Sequence, residues 1–232
     1  DDVVLDYVGI SNLGWIQDVR VENTSQMNRL LELIEDQRED GFDHELIDLF
    51  RMIPTQKTGA YFHRDQIVKN QQTCGRFRAE VLCEAERQIL HQYEDKHLTE
   101  LPELTRQRNA MWYDATILPL IEALEGRRDK RVILCVRNGA SVRDLPENTS
   151  VEIPALVSRR GVRAVKVGSL PHFAKGMCLA AKESDRLTVE AVRHHSYEFA
   201  LQALAINPFV PSVDTAKRYL DLVIKEEHLE LR

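Results

Sequence analysis

The sequence predicts an α+β fold in which long helices pack on short, mainly antiparallel strands. Three observations predict it. Two strand-like apolar runs stand almost at the start, Val3–Ile10 and Leu13–Val21. Three more short runs follow much later, between Arg131 and Pro171. The stretches between and after them carry apolar residues at steps of three and four, the period of a helix. No repeat, low-complexity tract or clear linker interrupts the chain, so residues 1–232 read as one domain.

The first run is nearly all apolar, and the second alternates around Trp15, Ile16, Val19 and Val21. Gly9, Gly14 and the polar pair Ser11-Asn12 predict a hairpin or a bulge there. Short helices are expected over Ser25–Glu35 and Asp43–Met52, each opening on a good N-cap residue. Pro54 should end the second, and 54–63 (PTQKTGAYFH) reads as a loop. The stripe Ile67, Cys74, Phe77, Val81, Ala85 and Ile89 predicts one long helix from Phe62 to His97. A second long helix should start at Pro102, kink at Pro119 and end at Gly126. Strands are expected at Arg131–Val136, Thr149–Val157 and Val162–Pro171. Two closing helices are expected, Thr188–Ile206 capped by Thr188 and Ser212–Leu231 capped by Ser212.

Composition narrows the class. Apolar residues make up 43% and charged residues 29%, as in ordinary globular proteins. The net charge of −6, with both signs mixed along the chain, argues against nucleic acid as a main partner. No apolar run approaches membrane-spanning length. Cys74, Cys83, Cys135 and Cys178 form no CxxC pair, so they read as reduced, mostly buried thiols in a cytoplasmic protein. There is no GxGxxG, GxxxxGK[ST], HExxH or GxSxG motif. The strand pattern begins at once with no start methionine, which reads as a piece of a longer chain.

The punctuated segments carry more. In order they are LDYVGISNLGW (5–15), RMIPT (51–55), RNAMWYDATILPLIEAL (108–124), RNGASVRDLPENTSVEIPALV (137–157), GSLP (168–171) and LTVEAVRHHSYEFALQALAINPFVPS (187–212). This series resembles the C-terminal half of the family-4 glycoside hydrolases, the 6-phospho-β-glucosidase and 6-phospho-α-glucosidase group. The resemblance implies the lactate/malate dehydrogenase-like C-terminal domain of that family. It also implies a missing first half, a Rossmann domain carrying NAD. Most glycosidases use two carboxylates. This family instead oxidises the C3 hydroxyl with NAD, removes the C2 proton with a base, eliminates the leaving group, adds water and reduces the ketone again. A divalent metal, typically Mn2+, polarises the oxygens. The expected substrate is a phosphorylated disaccharide, whose O-glycosyl bond is hydrolysed, and the expected assembly is a homo-oligomer. This chain alone should be inactive.

The site residues follow from the same resemblance. Asn12 stands where the family has its metal-ligating His, and an amide oxygen binds such a metal more weakly than imidazole. Tyr61 is the candidate base in a stretch where the family usually has several tyrosines, and Lys57 stands at another of those positions. A phenol titrates near 10 and needs a metal or cation beside it to act as a base. Arg108 and Tyr113 match an RGGxxY-type segment with Asn109 and Ala110 in place of the glycines, and Arg108 could clamp the sugar phosphate. Asn138 with Gly139 matches a turn near the pocket, and His63 is a candidate phosphate contact. His194 and His195 read as structural. Each candidate also has a plainer role in packing or turn formation. Two other readings stay open: a sugar-phosphate-binding homologue that has lost catalysis, and a plain oligomerisation domain.

Overall fold

The computed structural model describes residues 3–11, 13–37, 41–107 and 113–232. Strands β1 (Val3–Ile10) and β2 (Leu13–Val21) form an antiparallel hairpin, with register from Val3 opposite Val21 to Ile10 opposite Leu13. Ser11 takes φ 51°, the left-handed sign that two-residue hairpin turns favour. The bulge lies elsewhere. Asp6 is opposite Asp18 but Tyr7 is opposite Ile16, so Gln17 is the extra residue.

The two glycines of this hairpin are a cross-strand pair, Gly9 opposite Gly14. The Tyr7 phenol lies across both. A Cβ on Gly9 would sit 2.6 Å from the Tyr7 hydroxyl, and one on Gly14 would meet that hydroxyl and lie 2.5 Å from Cζ. Glycine is therefore required here for space, not for turn geometry. The Tyr7 hydroxyl donates to Glu152 Oε2 at 3.2 Å. Glu152 lies on β6 (Ser150–Ser158), opposite Gly9, where β6 pairs with β1. The sheet runs β3 (Thr24–Ser25), β2, β1, β6, β5 (Lys130–Arg137). The two-residue strand β4 (Ile53–Pro54) pairs with β2, and β7 (Gly161–Ala164) pairs with β6.

Contacts divide the chain into two compact units. The first is Asp1–Phe62, Ile133–Ala155 and Ala164–Arg232. Its main core joins Val8, Ile10, Leu13 and Trp15 of the hairpin to Val142, Val151 and Ile153, and to Ala174, Met177, Cys178 and Ala181 of helix α8 (His172–His194). A second cluster sets Met27, Leu31 and Ile34 of α1 (Met27–Asp36) against Ile47 of α2 (His44–Phe50) and Ile53. Asp43 caps α2 by accepting from the Leu46 amide at 3.1 Å, as expected. Ser25 does not cap α1 through its N-cap position, which Gln26 occupies. The Ser25 hydroxyl donates to Asp18 at 2.6 Å and accepts a long bond from the Met27 amide at 3.4 Å.

Several expectations needed correction. Pro54 does not end α2, which stops at Arg51 in the left-handed conformation with φ 53°. Pro54 sits in an edge strand, where its missing N–H costs no ladder bond. The expected loop after it is helix α3 (Gln56–Phe62). The closing helix over Thr188–Ile206 is two helices, α8 (His172–His194) and α9 (Tyr197–Ile206). Thr188 is inside α8, where its hydroxyl donates back to the Ser184 carbonyl at 2.9 Å, an interior option for threonine. The break falls at His195, φ 50°, and the cap of α9 is Ser196, which accepts from the Phe199 amide. The strand expected over Val162–Pro171 ends at Ala164. α10 (Val213–Glu226) is capped by Ser212 as expected but ends five residues early.

The second unit is His63–Val132 and Leu156–Arg163. The expected long helix is broken into α4 (Arg64–Thr73) and α5 (Arg78–Tyr93). The break holds Gly75 at φ 69° and an extended Phe77. The apolar stripe ran through the break because a short turn keeps the spacing while changing the backbone. Only its far end, Ala85 and Ile89, is buried. The helix from Pro102 is α6 (Leu104–Gln107), then a π-turn over Tyr113–Ile117, then α7 (Leu118–Leu124). Pro119 stands in the first turn of α7, just after the π-turn, where no α-helical N–H is needed. Gly126, φ 79°, ends α7 in a Schellman pair: Gly126 N–H to Ala123 and Arg127 N–H to Glu122. Cys74, Cys83 and Cys135 are exposed and only Cys178 is buried, so the thiols are not mostly buried as expected.

Replacing Gly14 by Ala should cost about 1–3 kcal/mol in urea unfolding, as overpacking does. The same change in a Tyr7→Val background should cost clearly less, because the ring that collides is gone. Equal costs in both backgrounds would show that the ring is not the constraint.

Candidate functional site

The hairpin turn and helix α3 are joined at Gly14. Its amide donates to Thr58 Oγ1 at 2.9 Å, and its carbonyl accepts from the Thr55 amide at 2.9 Å. The Thr58 hydroxyl is 3.2 Å from that carbonyl and 3.0 Å from Thr55 Oγ1, and its single proton serves one of them. Thr58 is fully buried. Both outward backbone groups of Gly14 are thus satisfied by α3. At the other side of the turn, the Ser11 hydroxyl donates to Asp185 of α8 at 2.6 Å.

This clamp positions Tyr61. It stands three residues after Thr58, half-buried, with its ring edge-on to Phe62 at 5.0 Å and to Phe209 at 6.1 Å. Lys57 is one turn earlier on the same face of α3. Its Nζ lies 5.9 Å from the Phe209 ring centre. Tyr61 and Lys57 therefore converge on one aromatic.

The other candidates are placed as follows. Asn12 and Arg108 lie outside the described residues. Asn138 is buried in the first unit. Its amide nitrogen donates to the carbonyls of Val142 at 2.9 Å and Leu145 at 2.8 Å, with Pro146 at 3.2 Å. Its Oδ1 accepts from the Val142 amide at 2.7 Å. The side chain is committed to folding its own loop, the structural alternative already noted for it. His63 precedes α4 in the second unit and makes no side-chain cap bond. Tyr113 opens the π-turn of the second unit and is 52% exposed.

Two groups escaped the sequence reading. One is the clamp, whose Thr-x-x-Thr spacing before a helix is an N-terminal signal. The other is the buried set of Tyr7, Glu152 and Cys178. Burial, with the Glu152 carboxylate adding to it, pushes the Cys178 thiol up to about 12. Burial and the same carboxylate also raise Tyr7. No sequence spacing links these three residues. A further pair, Asp144 and Lys175, is bridged at 2.9 Å, and this contact with the Leu170 amide holds the Asp144 carboxyl below the usual range.

Among the described residues, no three His, Cys, Asp or Glu side chains gather as a metal-holding group. The described donors beside the turn, Ser11 and Asp185, are an alcohol and a carboxylate bonded to each other. These residues do not by themselves fit a manganese ion.

A model of the family 4 glycosyl hydrolase C-terminal domain matches residues 7–210. The chain belongs to the family-4 glycosyl hydrolases. This family-4 chain is 28% identical over 229 residues to the 6-phospho-beta-glucosidase BglT of Thermotoga maritima, covering 97% of the chain and 54% of that protein. It is 24% identical over 245 residues to the 6-phospho-alpha-glucosidase of Leptotrichia buccalis, covering 97% and 55%. A solved structure of the Thermotoga maritima 6-phospho-beta glucosidase with manganese, NAD+ and glucose-6-phosphate superposes with a TM-score of 0.89. There the identity is 29%, over 100% of this chain and 56% of that one. The fold is therefore the α+β C-terminal domain expected. This family-4 chain spans about half the length of the relatives it matches.

The raised Cys178 thiol has a pH consequence. Its folded value lies above the unfolded one of 9.0, so its share of stability is complete below pH 9 and is lost as pH climbs toward about 12. Cys178→Ala should flatten the fall of stability across that window, by at most about 1.4 kcal/mol per pH unit. Native thiol titration should count the three exposed cysteines and reach Cys178 only after unfolding. Rapid native labelling of Cys178 would contradict this burial.

Proposed function

We infer that this chain is the substrate and oligomerisation domain of a 6-phospho-glucosidase-like enzyme, which hydrolyses phosphorylated disaccharides by NAD-dependent oxidation and elimination. The observation that carries this reading is the match over 7–210, together with relatives named as 6-phospho-glucosidases and a relative's structure holding NAD+, manganese and glucose-6-phosphate. The chain has no glycine-rich nucleotide fingerprint, so the reading requires an NAD-bearing half and gives this chain no turnover of its own.

Within that reading, Tyr61 is the base that takes the sugar C2 proton. The clamp of Thr55 and Thr58 on Gly14 supports it, because it fixes α3 relative to the strand that begins just after Asn12. Arg108 takes the sugar phosphate, with His63 and Tyr113 as further contacts, and Asn138 shapes its loop. Asn12 is the metal-facing position. A specific departure favours a second reading, loss of catalysis with the fold kept: Asn12 and Lys57 replace the family's His and a Tyr.

One experiment tests both readings. The protein carrying this chain behind its NAD-bearing half is assayed on 4-nitrophenyl 6-phospho-glucosides with NAD+ and Mn2+. Turnover is expected, falling about 10²–10⁴-fold in Tyr61→Phe, the usual worth of a positioned base. No turnover on either anomer, with tight Mn2+ binding appearing only in Asn12→His, would establish the degenerate homologue instead.

The homo-oligomer has support in exposed apolar side chains on α8 and α10: Val189 at 56%, Val192 at 70%, Tyr219 at 57% and Leu222 at 55% exposure. Light scattering should give a multiple of 26.8 kDa for the chain. A monomer up to about 100 μM would end that part of the reading, because an interface weaker than about −5.5 kcal/mol would not hold a stable assembly.

A further inference from the structure

Two segments of the second unit are crowded with cations. Residues 126–131 read GRRDKR and residues 156–163 read LVSRRGVR, in a chain whose net charge is −6. Four cations stand in the first segment and three in the second. The second segment is the hairpin between β6 and β7. Its turn is Arg159-Arg160, closed by the Arg160 amide donating to Ser158 Oγ at 3.2 Å and by Gly161 at φ 103°.

Gly126, Asp129 and the hairpin Leu156–Arg163 bound a cavity of about 860 Å³. Its lining combines two chemistries. Arg159, Arg160 and Arg163 supply three guanidinium groups, and Asp129 is the one carboxylate. The balance is two positive charges, the complement of a phosphate monoester dianion. Among the described residues, none of these three arginines is held in an ion pair. Leu156, Val157 and Val162 give the cavity an apolar wall.

The site is also built. Gly126 carries no side chain where the stem of Arg159 crosses it. A Cβ there would lie 3.0 Å from Arg159 Cδ and 3.1 Å from its Cβ. The stem is bedded on the end of α7, which limits its rotamers and the entropy lost when the guanidinium takes a ligand. A cation at that helix end also suits the helix dipole. That accounts for Arg159 but not for Arg160 and Arg163, which lie in the turn and on β7. The volume exceeds what inorganic phosphate needs and matches an organic ligand, about 300–1,000 Å³ being usual.

We propose that this cavity binds a small organic phosphate monoester, with the arginines forking onto the phosphate and the Leu156–Val162 wall meeting its carbon body. The site lies wholly within the second unit and does not rest on the glycosidase reading.

The probe is phenyl phosphate, which joins a dianion to an apolar body, titrated calorimetrically into the 232-residue chain. Saturable binding tighter than about 1 mM is expected. It should weaken at least about tenfold in the Arg160→Gln/Arg163→Gln variant, as paired charge-assisted contacts are lost. Inorganic phosphate should bind more weakly, benzyl alcohol should not bind, and added salt should lower the affinity. These arginines are exposed, so thermal melting of the variant should match the parent. Arg159→Gln is the second variant, and it should weaken binding as well. No saturable binding, or binding unchanged in both variants, would overturn the proposal. So would a hexaglutamate peptide that competes as well as phenyl phosphate, which would mark an acidic protein segment as the ligand.

Discussion

The first unit depends on one contact, the Tyr7 ring lying across the facing glycines of the β1–β2 hairpin. No side chain fits beneath that ring at position 14, and at position 9 a Cβ would also lie 2.8 Å from the Leu13 carbonyl oxygen, so both must be glycine even though glycine weakens a strand. The constraint is repaid by connection. The Tyr7 hydroxyl reaches Glu152, and Glu152 is the residue with which Gly9 pairs. One ring thus ties β1, β2 and β6 together at the point where the core residues Val8, Ile10, Leu13 and Trp15 are buried.

The same glycine serves the candidate site. The strand geometry turns the Gly14 amide and carbonyl toward α3, and Thr55 and Thr58 satisfy both. A helix of seven residues has little stability alone. Here its first turn is bonded to a buried strand, so Lys57 within that turn and Tyr61 one turn later hold a fixed register against the hairpin. Ser11 and Asp185 hold the far side of the turn to α8. The hairpin turn is held from both ends by polar contacts of described residues.

Much of this was legible in the sequence. The hairpin, the strands β5 and β6 and the caps Asp43 and Ser212 follow from local signals: alternation, turn residues and short polar side chains before apolar runs. The errors share a cause. A periodic stripe ran unbroken through Cys74 and Phe77 although the backbone turns at Gly75, because spacing reports a face and not continuity. Thr188 looked like a cap because a hydroxyl that bonds one turn back is indistinguishable, in sequence, from one that bonds forward. The Tyr7–Glu152–Cys178 set was illegible for a different reason. It joins residues 145 apart, and only the sheet brings them together.

The two proposed departures from the family pattern stand beside the clamp in sequence, Asn12 two residues before Gly14 and Lys57 one before Thr58. This bears on how a phenol here could work as a base. An ordinary phenol titrates near 10 and gains base strength at neutral pH only beside a positive charge. In the mechanism proposed above that charge would come from a metal. On α3 the residue one turn before Tyr61 is a lysine, and both side chains approach Phe209. Lys57 thus puts a cation on the helix that carries the candidate base. An exposed ammonium in high-dielectric surroundings is worth far less than a divalent ion at a closed site. Lys57 can bias the local field, but it does not hold two sugar oxygens at once. If the protein turns substrate over, the orientation of those oxygens must come from contacts other than this lysine.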